Sequence, residues 1–280
     1  MGSIHNSRHA ALAACGLLMI LTGPARAADA SPWAEDTRSG ARLIAGANTG
    51  ADANMRAGVE IKLQPGWKTY WRYPGDSGVP PRFDFSGSEN LARARVSYPA
   101  PHLFTDETGN SLGYKDNVIF PVRVTAKQPG KPVRLRLKLD YAVCEKLCIP
   151  AEGRAELTLA PGNSAFDTAL TASEARVPTS ASAADIGLTA KRVSTGPKPL
   201  VYVDVAVASG NPIELFVEGP TAEWALPIPQ PAQGAPPGHR HFGFELDGLP
   251  PGVDPQKGQF ELTFTVVEGD RVREIKTHLD

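Results

Sequence analysis

Two cysteines four positions apart, Cys144 and Cys148, are the residues of this chain whose type and spacing point most directly to chemistry. Disulfide Cα atoms lie about 4.4–6.8 Å apart, whereas residues i and i+4 of one straight strand lie about 13 Å apart. Cys144-Glu145-Lys146-Leu147-Cys148 must therefore turn if the pair closes, across a hairpin end or on one helical turn. Closed, the pair is either a structural staple or a redox couple. A loop this small contributes only about 2 kcal/mol through chain entropy, and a bridge at a strand end opens without unfolding a domain. Neither argument decides between the two. Cys-x-x-x-Cys is also less specific than Cys-x-x-Cys, and a zinc or copper site here lacks a histidine nearby in sequence. Lys146, between the cysteines, favours a thiolate if one forms.

Other side chains are candidates around that pair. Tyr70 and Tyr73 are placed to flank a disulfide, although tyrosines in such strands more often pack a core or an edge. Asp106 and Glu107 are a loop carboxylate pair, suited to proton relay or simply to solvation. His239 and His241 alternate around Arg240 and put two imidazoles on one side of a strand, a conceivable copper site but more often nothing. No metal ligand set and no cofactor are expected.

The elements that must position these residues are β-strands in an exported chain. Arg8 and His9 precede an apolar run, Ala10–Leu21, too short to span a bilayer. Ala25-Arg26-Ala27 then has the form signal peptidase accepts, so residues 1–27 read as a cleaved leader and the mature chain as soluble and periplasmic. Leu12-Ala13-Ala14-Cys15 also has the shape of a lipoprotein box, a lesser reading. Loss of the leader removes Cys15 and leaves Cys144 and Cys148 in an oxidising compartment. A formal charge of −1 gives no basic face for nucleic acid. With 27 glycines and 26 prolines among alternating Val-rich stretches, the composition fits all-β structure.

The clearest strand is 133–143, with Val133, Leu135, Leu137, Leu139, Tyr141 and Val143 on one face and Arg134, Arg136, Lys138 and Asp140 on the other. Residues 155–160 return beside it, so the cysteines fall where a strong strand ends. Further strands are expected at 41–45, 55–63, 66–73, 80–85 (an edge, given Pro80 and Pro81), 94–98 and 118–126. A helix is expected over 163–176, capped by Asn163 or Ser164, and a small-residue linker over 178–184. Six more strands follow from 187 to 279, with a Pro-rich loop at 227–238. The expected organisation is a β-sandwich over 28–165, a helical and linker segment over 166–184, and a second, smaller β-sandwich over 185–280.

Three stretches carry a resemblance: Gly66-Trp67-Lys68-Thr69-Tyr70-Trp71-Arg72 with Pro74-Gly75-Asp76-Ser77-Gly78; Gly113-Tyr114-Lys115-Asp116 leading to Phe120-Pro121; and Tyr141-Ala142-Val143-Cys144-Glu145-Lys146-Leu147-Cys148-Ile149-Pro150. In order and spacing they resemble the N-terminal periplasmic domain of the DsbD and ScsB thiol-disulfide reductases, over roughly residues 30–165 and nearest the ScsB branch. The resemblance implies an immunoglobulin-like sandwich. It implies a cysteine pair that takes electrons from a membrane-embedded thiol carrier and passes them to thioredoxin-like and other oxidised periplasmic proteins. By chain order, Cys148 matches the cysteine that forms the mixed disulfide and Cys144 the resolving one. Two features depart from the pattern. The cysteines are closer together than in the best-known members, and the family's cap loop has an acidic pair followed by an aromatic. Here Asp106-Glu107 is followed by Thr108, leaving Phe104 to supply the cap from the other side. The ScsB branch is associated with copper tolerance and carries a second β domain. A rival reading from another class is a periplasmic binding or copper-handling module whose disulfide is structural.

Overall fold

The computed structural model describes residues 1–2, 28–48, 54–106, 109–207 and 210–279. The expected leader falls outside them apart from Met1 and Gly2, as do Glu107 and Thr108. Eleven strands form the first half in chain order: β1 (Ala34–Glu35), β2 (Ser39–Ala45), β3 (Asn54–Leu63), β4 (Lys68–Gly75), β5 (Arg82–Asp84), β6 (Leu91–Val96), β7 (His102–Asp106), β8 (Gly109–Lys115), β9 (Asn117–Ala126), β10 (Val133–Cys144) and β11 (Cys148–Leu159). Then come helix α1 (Asp167–Ala175), β12 (Thr179–Ala181), helix α2 (Ala183–Ile186), β13 (Thr189–Arg192), β14 (Leu200–Ala206), β15 (Ile213–Glu218), β16 (Gln230–Pro231), β17 (His239–Glu245), β18 (Phe260–Glu268) and β19 (Arg271–Leu279). The chain is all-β, as its alternation implied.

In the first sandwich a sheet ordered β1-β2-β3-β9-β6 faces one ordered β11-β10-β4-β8-β7, with β5 pairing β10 as an edge. Period-2 alternation sends Leu43, Val59, Ile61 and Phe120 from one sheet and Leu135, Leu139, Tyr141 and Trp71 from the other into a common core. The two strongest strands, β10 and β11, pair residue for residue from Val133↔Leu159 to Cys144↔Cys148. The second sandwich stacks β12-β19-β18-β15 on β13-β14-β17-β16 around Val201, Val203, Phe244, Phe264 and Ile275.

Local expectations needed correction in three places. The helix is shorter than the span 163–176, and its N-cap is Phe166 without a side-chain cap. Ser164 instead accepts from the Phe166 amide and donates to the Ala45 carbonyl, tying the approach segment to β2. Residues 178–184 are ordered: β12 pairs parallel with β19, and Ser182 and Asp185 form a capping box that starts α2. Strands β7 and β8 were not expected at all.

The two sandwiches meet over an apolar seam. Phe216, Ile228, Val267 and Val272 from the second half are continuous with the first core, and Phe216 lies 6.1 Å from the Trp71 ring. Beside it Arg72 binds Glu218 with two nitrogens, at 3.0 and 2.7 Å, and Glu274 at 2.5 Å. No helix among the described residues is long and apolar enough to cross a membrane.

Candidate redox site

Cys144 ends β10 and Cys148 begins β11, and the three-residue turn between them brings their Cα atoms to 4.2 Å in a disulfide. The surroundings of the two sulfurs differ. Cys144 is 2% exposed, whereas Cys148 and the turn residues Glu145, Lys146 and Leu147 are exposed. The cause lies in β10. Its outward positions Arg134, Arg136, Lys138 and Asp140 are exposed or half-buried, but Ala142 and Cys144 on that same face are buried beneath Tyr70.

Register brings Tyr70 there. Cys144 is opposite Lys68, and Tyr70 follows two residues on, hence on the same face of the sheet. Tyr70 is itself buried, with Oη 2.6 Å from Cys144 Sγ and 3.0 Å from Cys148 Sγ. Disulfide sulfurs carry no proton, so the phenol is the donor to both. Burial, and secondly the negative charge of Asp106, raise the Tyr70 pKa above its ordinary value and keep that proton on the oxygen.

Two glycines of the sequence motifs make this packing possible. Gly78 lies on the Tyr70 ring with φ +131°, and a Cβ there would come within 2.3 Å of the ring. At Gly113 a Cβ would sit 2.0 Å from the Thr69 carbonyl, so only glycine lets β8 approach β4 so closely.

The hairpin β7–β8 curls over the same face. Lys68 is opposite Lys115, and Asp106 is opposite Gly109. In a flat sheet those rows would lie six residues apart along β8, about 20 Å. Lys68 Nζ nevertheless reaches Asp106 Oδ2 at 2.7 Å and Ser111 Oγ at 2.9 Å. The bend comes from β4, where a five-residue advance from Tyr70 to Gly75 is matched by a two-residue advance on β8, from Gly113 to Ser111. Asp76 holds the bend: its amide donates to the Asn110 carbonyl and its carboxylate accepts from the Asn110 amide. Phe104 shares the face, half-buried, between the ammonium groups of Lys68 at 5.7 Å and Lys115 at 4.7 Å.

Of the residues singled out in the sequence, the structure thus brings together Cys144, Cys148, Tyr70 and Asp106 on one face, with Phe104 on the hairpin that bends over it. Glu107 lies outside the described residues. Tyr73 is elsewhere: its hydroxyl donates to the Leu226 carbonyl in the second sandwich, and burial raises its pKa. His241 Nδ1 lies 2.7 Å from Asp204 Oδ1, with the ring tilted against Tyr202 at 4.4 Å between centroids, while His239 Nδ1 donates to the Pro237 carbonyl. Their hydrogen bonds thus run to separate partners, and the described residues hold no group of three or more potential metal ligands. Lys68, Ser111 and Gly78 were missed. Gly78 stood in a quoted motif, but nothing in the sequence marked it as the floor beneath a tyrosine.

Residues 41–160, which include this whole site, match the family model described as the N-terminal region of thiol:disulfide interchange protein DsbD. Among solved structures the chain is similar to the N-terminal periplasmic domain of ScsB from Proteus mirabilis. The TM-score is 0.70 at 19% identity, covering 90% of this chain and 98% of that one. At that identity the likeness speaks for the fold. No curated protein matches the chain significantly in sequence.

Proposed function

We propose, from the premise that residues 41–160 form a domain of the DsbD N-terminal, thiol:disulfide interchange family, that this chain is a periplasmic thiol-disulfide relay. It accepts electrons from a membrane-embedded thiol carrier and passes them to thioredoxin-like periplasmic proteins. Residues 28–165 are the redox domain, 166–184 join it to the second, and 185–280 form that second domain. The observation that carries the reading is the asymmetry of the cystine. One cysteine is exposed, the other is buried, and the Tyr70 hydroxyl lies within hydrogen-bonding distance of both sulfurs.

The steps balance as thiol-disulfide exchange. A donor thiolate attacks Cys148 Sγ from the open side, forming a donor–Cys148 bond as the Cys144–Cys148 bond breaks. Cys144 leaves with the electron pair as a thiolate beneath Tyr70, whose hydrogen bond stabilises the developing charge. The donor's second thiol then displaces Cys148, leaving a dithiol in this chain and a disulfide in the donor. Toward an oxidised acceptor the sequence reverses: Cys148 attacks and Cys144 resolves the mixed disulfide.

Trapping tests these roles. Cys144→Ala is expected to accumulate covalent complexes with redox partners, seen as reducible bands on a non-reducing gel, and Cys148→Ala few or none. The opposite pattern would reverse the assignment. An absence of bands from both variants would sink the relay in favour of a structural bridge.

A further inference from the structure

The steps of the relay use no residue of the second sandwich, yet the core face of that sandwich breaks its apolar alternation at one end. On β19, Ile275 and Leu279 point into the second core. Arg273 and Arg271, two and four residues before Ile275, therefore fall on the same face. Register agrees: Arg273 is opposite the buried core residue Val266, and Arg271 is opposite Glu268. Charge turned inward is a device that protects edge strands, but Arg273 is paired on both sides, with β12 and with β18. The two arginines border a cavity of about 490 Å³, lined from both sheets of the sandwich and from α2. Small-molecule sites occupy roughly 300–1,000 Å³. The apolar walls are Val205 and Val266, both buried, and Ile186 and Ile213, both half-buried.

The unmatched charge at this cavity is positive. Arg273 donates to Thr179 Oγ1 at 2.7 Å and to the Val272 carbonyl at 3.4 Å, both neutral acceptors. Among the described residues no carboxylate forms an ion pair with Arg273 or Arg271. Of the carboxylates nearby, Asp185 is held in the capping box by Ser182, Asp270 pairs with Arg176, and Glu268 is buried and already engaged. We propose that the cavity binds a small amphiphilic monoanion, an alkyl carboxylate. Its tail lies along Val205, Val266, Ile186 and Ile213, and its carboxylate is held by Arg271 and Arg273. A guanidinium matches a carboxylate with two parallel hydrogen bonds, and the tail gains from leaving water for the apolar walls. This site is in the other sandwich from the cystine and stands whether or not the relay reading does.

The test is isothermal titration calorimetry of the full chain with decanoate, which is expected to bind saturably. Acetate lacks the tail and decylammonium carries the opposite charge, so each should bind at least about tenfold more weakly. Arg271→Gln and Arg273→Gln should each weaken decanoate about tenfold, through loss of a charged hydrogen-bonding partner, and added salt should weaken it in the wild type. Decanoate should also slow amide exchange in β14, β18 and α2 while leaving β10 and β11 unchanged. Absence of decanoate binding overturns the proposal. So does decylammonium binding as tightly, because apolar adsorption alone would then explain the result. Variants that remain folded by circular dichroism and bind decanoate like wild type overturn it as well. Exchange protection confined to the first sandwich would put the ligand elsewhere and has the same consequence.

Discussion

Tyr70 offers one hydrogen to two sulfurs, and its nearer contact is with Cys144, the sulfur that must leave when Cys148 is attacked. A hydrogen bond to a charged group is worth about 1.5–3 kcal/mol, so Tyr70→Phe is expected to slow reduction of the cystine by about tenfold or more. The ring stays, so the packing of Gly78 and Ala142 against it should survive, and circular dichroism should be unchanged. The pH dependence has a definite sign. Because burial and Asp106 raise the Tyr70 pKa, the donor stays protonated throughout the range in which thiols ionise. The wild-type to Tyr70→Phe rate ratio should therefore hold constant from about pH 6 to 9, and decline only above the ordinary tyrosine range near 10. A ratio that collapses near neutrality would show that another group supplies the hydrogen bond. At this scale the sequence was half legible. Cysteine count and compartment singled out Cys144 and Cys148, but Tyr70 and Tyr73 had equal claims. Which tyrosine meets the sulfurs depends on the β4–β10 register, Cys144 opposite Lys68, and pairing between distant strands leaves no local mark.

The hairpin β7–β8 shows the same limit for an element. Its core-facing side is carried by only Leu103, Leu112 and Tyr114, while the other face holds His102, Phe104, Asp106, Ser111, Gly113 and Lys115, too few and too mixed for apolar alternation to stand out. Strands β10, β3 and β9, each with a buried face, were by contrast plain from period-2 patterning. What holds the hairpin over the redox face is the Lys68 ammonium, itself largely buried, bonded to Asp106 and Ser111 and lying near the Phe104 ring. Two substitutions separate cover from clamp. Phe104→Ala removes the ring alone and should speed reduction by a small thiol about two- to fivefold if the ring impedes access, with the hairpin still protected from amide exchange. Lys68→Met removes the clamp and should speed the same reaction while lowering exchange protection from Asn110 to Gly113. Unchanged rates in both variants would mean that the hairpin does not shield the disulfide. The loop at Gly78 gives the converse result. Gly78→Ala places a methyl against the Tyr70 ring at a φ few other residues adopt, and should displace the tyrosine, reproducing the slow chemistry of Tyr70→Phe with an added loss of stability.

For the whole molecule, strand β4 is the shared member. Its Tyr70 faces the disulfide, while Trp71 packs on Phe216, Arg72 is clamped by Glu218 and Glu274, and Tyr73 bonds to Leu226. The strand that positions the redox chemistry is thus also the strand that grips the second sandwich. Sequence reading separated two β units because residues 178–184 are small and loop-like, but the seam itself was invisible. Phe216 and Val267 look like ordinary inward residues of their own strands, and only the fold shows them continuous with the first core. The disulfide sits away from that seam, at the free end of the β10–β11 ladder, so reduction should leave far-ultraviolet circular dichroism nearly superimposable on that of the oxidised form. Loss of the β signal on reduction would make the bridge structural. The seam has the opposite expectation. Phe216 is fully buried between the halves, and truncating such a ring costs about 3–5 kcal/mol. If the halves unfold as one unit, Phe216→Ala should lower a single denaturant midpoint and reduce amide protection in β4 and β10 as well as in β15 and β18. Protection lost from the second sandwich alone, or a transition that was already double in the wild type, would show two independently folding domains with a weak contact. In that case the geometry of Tyr70 over the cystine owes nothing to its neighbour.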